Sequence, residues 1–327
     1  MYVNDENYKQ FIEKTIQNIK KILTTEYGIE VESIKPGLFH KNNIDLVGVT
    51  IKEVDNIVAP TVYMDTYYQD YQDGVSLDDI AASISSSVSM AFNMKPELPI
   101  FTVEEAKKHI TLTLINEDKN KKMLMEVPHF KVGGADSDVV AIPRWYISDE
   151  ASFVVNNDVA SQLCLTSDEI IKIGIENINA QEFQVLSMKD VLMEMVVKDG
   201  IPLSMVEDMF SSELSNPPMI VVTNERKLQG ASAILSSQTL KQVEEIIGGE
   251  YYLLPSSIHE TIAVPVKDLT VEELNRMVRE INMTEVKPED VLSDNVFKYN
   301  GDKLTMVFED IKIDEPKLER KGIHFSM

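Results

Sequence analysis

Ile12, Ile16, Ile19 and Leu23 stand at helical spacing, and charged or amide side chains fill most positions between them. That stripe predicts an amphipathic helix laid along a core. Gly28 follows its end, and Glu30 to Phe39 then reads as a strand. A turn over His40, Lys41, Asn42 and Asn43 leads into a second strand, Ile44 to Ile51, which completes a hairpin. Tyr63, Tyr67 and Tyr71 recur every fourth residue, a spacing that puts them on one face of a helix. Gly74 closes that helix, and Ser76 or Asp78 opens the next, whose buried stripe is Ile80, Ile84 and Val88.

Capping pairs mark three later helix starts: Thr102 with Glu105, Thr166 with Glu169, and Thr270 with Glu273. After His109, Ile110, Leu112 and Leu114 alternate with threonines, a pattern that fits either a helix or a strand. Val139 to Ile147 and Ala151 to Val155 read as a strand pair around Ser148, Asp149 and Glu150. Ser187 with Asp190 starts a helix that turns Val191, Leu192, Met195 and Val196 inward, and Gly200 and Pro202 break it. Ser215-Asn216-Pro217-Pro218 is the best linker candidate, because proline neither continues a helix nor donates to a sheet. Beyond it, Met219 to Thr223 and Gly230 to Leu235 read as strands joined by a polar turn, Asn224 to Gln229. A helix from Gln238 to Ile247 stops at Gly248-Gly249, and strands follow at Tyr251 to Leu254 and Thr261 to Val266. The helix capped by Thr270 and a hairpin around Asn300-Gly301 complete the series.

The order β-β-α-β-β-α-β-β in this last part predicts mostly antiparallel sheets with helices packed on one face. The expected fold class is therefore α+β, in two subdomains over residues 1–214 and 215–309, with a charged tail over 310–327.

Charge narrows the functional classes. The 327 residues hold 31 Lys and Arg against 54 Asp and Glu, a net charge of −23. So acidic a chain lacks the basic footprint of a phosphate-backbone binder, and no direct nucleic-acid binding is expected. The carboxylates are spread along the chain, which suits solubility more than mimicry of a nucleic acid. The densest stretch, Thr61 to Ile80, has Asp65, Asp70, Asp73, Asp78 and Asp79 and no Lys or Arg. There acid meets Tyr63, Tyr67 and Tyr71, and tyrosines suit protein interfaces. No apolar signal core follows the N-terminus, and the longest uncharged run, Ile80 to Met94, is too short to span a bilayer. The lone Cys164 makes no internal disulfide. These features predict a soluble cytoplasmic protein with no membrane association.

The candidate chemistry is sparse. Pro255-Ser256-Ser257-Ile258-His259-Glu260 contains the residue types of a nucleophile, a base and an orienting acid. Three such side chains from six consecutive residues do not converge readily, and no Gly-x-Ser-x-Gly elbow surrounds either serine. A turn, a ligand-site loop or a catalytic centre are the three readings. His129 with Asp136 and Asp138 offers ligands for a hard cation, and a flexible solvated loop is the competing reading. Cys164, between Leu163 and Leu165, reads as a buried small hydrophobe. The five histidines show no metal-pair spacing, and no Gly-rich phosphate motif occurs, so no cofactor is expected. The lysines at 107, 108, 119, 121 and 122 read as a solvated face. Met188, Met193, Met195, Met205, Met209 and Met219 read as core, or else as an adaptable groove.

Four segments carry a resemblance: Asn43 to Val49, Leu254 to Glu260, Met277 to Asn282, and Val291 to Asp294. In these the chain resembles an uncharacterised bacterial family of unknown function that is common in anaerobic Gram-positive bacteria. The likeness spans residues 1 to 305 and is good in the last third. A more distant one, through Leu165 to Glu169 and its flanking strand and helix, is to a second uncharacterised Gram-positive family. The resemblance implies a bacterial, cytoplasmic α+β protein and brings no activity, cofactor or active site. Together these points favour a non-enzymatic binding or adaptor protein with a protein partner. The alternatives are a hydrolase-like enzyme built on Ser256, Ser257, His259 and Glu260, and an acidic inhibitor of a basic partner.

Overall fold

The computed structural model describes residues 5–56, 58–94, 99–149, 151–198, 219–267 and 269–309. The linker candidate at 215–218, the tail at 310–327, Gly200, Pro202, Met205 and Met209 lie outside the described residues, as do the side chain of Met195 and residue Glu150.

The first stripe forms helix α1, Glu6–Thr25, capped by the Asp5 side chain. It buries Ile12, Ile19 and Leu23 together with Tyr8 and Phe11. Strands β1, Val31–Lys41, and β2, Ile44–Glu53, form the expected hairpin, and its turn is only Asn42-Asn43. Asn43 supplies the positive φ (66°) that a two-residue turn needs. A third strand, β3 at Thr61–Tyr63, pairs with β2. Tyr63 therefore lies in a strand and not on the helix that the four-residue spacing predicted. That helix, α2, is Asp65–Gln72, and Tyr68 is its buried aromatic residue. Helix α3, Leu77–Asn93, starts at a Ser76 cap and buries Ile80, Ile84 and Val88. These helices and one face of the β1-β2-β3 sheet enclose one core.

The middle of the chain opens with α4, Val103–His109, after a Thr102 cap. The alternating segment after it is strand β4, Ile110–Asn116. A 3-10 turn at Asp118–Asn120 and short helix α5, Lys121–Leu124, come next. Strands β5, Phe130–Lys131, β6, Val139–Tyr146, and β7, Ser152–Val154, complete an antiparallel sheet in which β6 is central. Helices α6, Asn157–Gln162, and α7, Ser167–Ala180, follow, and α7 carries the full reciprocal Thr166–Glu169 capping box. At Gly174, α7 comes so close to β4 that an added Cβ would overlap the Leu112 side chain.

Strand β8, Gln184–Ser187, and helix α8, Met188–Lys198, precede the 215–218 stretch. After it come β9, Ile220–Thr223, helix α9, Ser237–Ile247, β10, Tyr251–Leu254, β11, Thr261–Pro265, helix α10, Val271–Thr284, β12, Val296–Tyr299, and β13, Leu304–Val307. The strands form a six-stranded antiparallel sheet in the order β13-β12-β10-β11-β9-β8. Because β8 is a member, this sheet draws strands from both sides of the 215–218 stretch. One face packs with α9 around Tyr251, Leu253 and Phe297, and the alternate residues Tyr252, Leu254 and Val264 pack with α10. The three-stranded sheet thus has one helical cover, whereas the six-stranded sheet is covered on both faces.

Gly230 to Leu235 is a 3-10 helix and not the expected strand. The reason is close packing: a Cβ on Gly230 would collide with Thr223 Oγ1 and crowd the His259 carbonyl. Ala231, Ala233 and Ile234 are buried in the same core as β9.

Asn120 pins the β1–β2 turn to the rest of the molecule. Its Nδ2 donates to Asn42 Oδ1 (3.1 Å), Asn43 Oδ1 (2.9 Å) and Asn116 O (2.7 Å). Its Oδ1 accepts from the Asn43 N–H (3.0 Å) and contacts His40 Nε2 (3.1 Å). Asn42 and Asn43 in turn donate to the carbonyls of Glu289, Pro288 and Val291. His40, whose role was open in the sequence, is part of this clasp.

Candidate functional site

Ser256 and Ser257 are buried, at 7% and 4% exposure, beneath the 290–293 segment. The Leu292 N–H donates to Ser256 O, the Ser293 N–H to Pro255 O and the Ile258 N–H to Asp290 O, and Ser257 bridges to Val291. The Ser257 hydroxyl accepts the backbone N–H of His259 (3.0 Å). The His259 ring is fully engaged elsewhere. Its Nδ1 accepts from the Gln229 N–H (3.1 Å), which places the proton on Nε2, 3.2 Å from Asp290 Oδ1. A ring with both nitrogens in use has no lone pair left to activate a serine. Burial pushes the Glu260 carboxyl above the usual carboxylate range, while His259 and Ser257 pull it back.

Asp138 does not join His129. The His129 Nδ1 donates to Val127 O (2.8 Å), whereas the Asp138 carboxylate accepts from Ser293 Oγ (2.8 Å), Asn116 Nδ2 (3.3 Å) and Asn295 Nδ2 (3.4 Å). Burial raises the Asp138 carboxyl against those hydrogen bonds. The glycine loop that precedes it is anchored: Gly133 O accepts from the Met306 N–H (2.8 Å), and Gly133 Cα lies against Phe297. The loop is thus anchored at its Gly133 end, while Gly134, Ala135 and Asp136 are exposed, as the solvated reading expected. Among the described residues no three of His, Cys, Asp and Glu are placed to share a metal ion. Cys164 is exposed and not buried, at positive φ (55°) in the turn between α6 and α7. The chain turns outward there, while Leu163 is buried in the core and Leu165 packs, partly buried, against it.

The three tyrosines do not share a face. Tyr63 packs edge-on to Phe39, with Lys41 Nζ 4.1 Å from its ring centre. Tyr67 packs against the α1–α3 core, and the half-exposed Tyr71 lies 5.2 Å from Phe11. Several nearby acids serve local structure: Asp65 accepts the Val47 N–H, Asp78 holds Asn18, and Asp79 accepts from the Ser76 cap.

A cleft of about 1050 Å³ lies elsewhere. It opens between the α4–β4 junction, the β6–β7 turn, the end of α7 and the 224–226 loop. Thr111, Tyr146, Asn177, Asn224, Arg226 and His109 line it, with Asp149, Glu182 and Glu225 beside them. The Arg226 guanidinium rests 4.3 Å above the Tyr146 ring centre, a cation–π geometry, and its Nη1 is 3.6 Å from Asp149. The Tyr146 hydroxyl donates to Gln229 Oε1. Gln229 thereby links the cleft wall to His259, so Ser256 to Glu260 stand behind this wall and do not line it. Burial pushes the Tyr146 phenol upward while Arg144 and Arg226 oppose the shift. No sequence motif surrounds these residues. The available signal was a lone cation, Arg144, inside the otherwise apolar run Val139 to Trp145.

No helix among the described residues is long and apolar enough to cross a membrane. Comparison with curated proteins and with solved structures gave no match to either. A family model does match residues 8–301, most of the chain and all of the cleft. The chain belongs to this family, a family of unknown function, DUF5688.

Proposed function

We propose that the chain is a non-enzymatic intracellular binding protein that takes a polar ligand into the cleft beside Tyr146. The observation that carries this reading is the contrast between two places. The serine loop spends its backbone groups on holding the 290–293 segment, and the His259 ring, engaged by the Gln229 N–H and Asp290, activates neither serine. The cleft combines an accessible guanidinium, a tyrosine ring and amide side chains, a set suited to orienting a ligand without transforming it. An exposed, unbonded Cys164 and the acidic surface support a reducing, aqueous compartment. The test is a thermal-shift screen of polar metabolites beside hydrolysis assays on ester, phosphate and peptide substrates. Stabilisation without turnover is expected. Turnover that is lost in Ser257→Ala or His259→Ala would overturn the reading.

The hydrolase reading keeps one supporting observation, the buried Glu260 carboxyl beside His259 and Ser257, because perturbed carboxyls cluster at functional sites. A protein partner on the Tyr63, Tyr67 and Tyr71 region is a further reading, which a pull-down with Tyr71→Ala as the control would test.

A further inference from the structure

Arg144 breaks the pattern by which this protein handles charge. It sits in the central strand β6, next to Trp145, which is 2% exposed. Burial pulls its guanidinium below the usual arginine range, the neighbouring Tyr146 opposes that shift, and no carboxylate among the described residues does. Among the described residues its one hydrogen bond runs from Nη1 to Ser152 Oγ (3.0 Å), and its Nε is buried without a protein partner. Thr111 stands directly opposite on β4. Its Oγ1 is also buried without a protein partner, and Thr111 lines the cleft. Among the described residues neither the Arg144 Nε–H nor the Thr111 hydroxyl has a partner, and the two residues face each other across two strands; Thr111 lines the cleft, and Arg144 stands across from it on β6 without lining it. A buried charge of this kind is costly unless a counter-ion and hydrogen bonds compensate it.

We propose that the cleft binds an oxyanion, the carboxylate or phosphoryl group of a small molecule, seated on Arg144 Nε–H and Thr111 Oγ1–H with Arg226 and Tyr146 at its mouth. This deepens the binding reading and rests on it. The acids at the rim, Asp149, Glu182 and Glu225, repel loosely held anions, so only an anion that reaches Arg144 gains from the site. Arg226, held to Asp149 at 3.6 Å near the surface, is free to turn toward the rest of the ligand.

The molecule carries its own reporter. Trp145 is the only tryptophan and stacks on His109 (6.1 Å, 9°), which lines the cleft. The test titrates the full chain with inorganic phosphate and, separately, with acetate at constant ionic strength. Trp145 emission and the melting temperature are followed. A saturable change with at least one anion is expected, and whichever binds more tightly identifies the phosphoryl or the carboxylate source. Arg144→Met should abolish the response, and Thr111→Val should weaken affinity about tenfold, the loss of one charge-assisted hydrogen bond. Without anion, Arg144→Met should be at least as stable as the wild type. A purely structural arginine would instead cost stability equally with and without anion. If Arg144→Met fails to fold, Thr111→Val carries the test. No saturable response to either anion, or an unchanged response in the variants, overturns the proposal. A neutral metabolite that still stabilises the protein would then leave the broader binding reading standing, and failure of every ligand would remove both.

Discussion

Replacement of Asn120 by Ala tests how the β1–β2 turn is held. Asn120 is fully buried and makes five polar contacts, three through Nδ2 and two through Oδ1. Nδ2 has two hydrogens, so one of its three contacts is shared, which leaves four independent bonds. At about 1 kcal/mol net for each bond, the gross loss is about 4 kcal/mol. Water recovers part of this at the exposed turn, but the Asn116 carbonyl and the Asn43 N–H are left poorly satisfied, so the expected loss is about 2–4 kcal/mol. Urea unfolding should show a lower midpoint with an unchanged slope, since the surface exposed on unfolding is the same. Amide exchange should quicken at Asn43 and at 290–292 while β10 and β11 stay protected. Asn18→Ala, which removes only an exposed bond to Asp78, is the control and should cost less than about 0.5 kcal/mol. A loss below about 1 kcal/mol for Asn120→Ala, or exchange that quickens throughout, would refute the clasp.

Three further outcomes follow from the same structure. Gly133→Ala should destabilise by about 2–5 kcal/mol in thermal unfolding, because φ is +85° and the new Cβ would overlap the buried Phe297 ring; a near-neutral effect would contradict the anchored loop. Glu260 ionises above its ordinary value of 4.5 in the native state, so the folded chain binds its proton more readily than the unfolded one. Stability should therefore fall as pH rises above 4.5, and Glu260→Gln, which retains an acceptor for Ser257, should lose less than the wild type across that rise; parallel curves would show that Glu260 is not desolvated. One thiol per chain should react promptly with a thiol reagent under native conditions, since Cys164 is exposed; a thiol that reacts only in denaturant would restore the buried reading.

Local signals proved legible where one short segment determines the outcome. The Thr166–Glu169 and Thr270–Glu273 boxes form reciprocally, Gly248 ends α9 in the left-handed region, and Asn300-Gly301 turns β12 into β13. The errors arose where a distant part of the chain decides. Gly230 to Leu235 has no strand pairing because its small residues fit a tight space beside Thr223 and His259 that only the fold creates. The four-residue tyrosine spacing was coincidental: Tyr63 pairs with Gly48 in a sheet, and Tyr68, off the supposed stripe, is the core residue. Leu163 and Leu165 suggested burial for Cys164, but the turn between two helices points the intervening residue outward. The cleft was illegible for a related reason. Its residues Thr111, Tyr146 and Arg226 come from three segments, and neither they nor Arg144, opposite Thr111, have a motif around them. An arginine in an apolar strand becomes informative only once its missing counter-ion is visible.

The central claim, that Arg144 awaits an oxyanion, is tested most directly by the side-chain Nε–Hε resonance of that residue. In ¹⁵N-resolved spectra of the full chain, inorganic phosphate or acetate should shift the Arg144 signal saturably and slow its exchange with water, and Thr111→Val should weaken the effect. An Arg144 signal that stays put under both anions, or moves no more than that of the exposed Arg276, would contradict it.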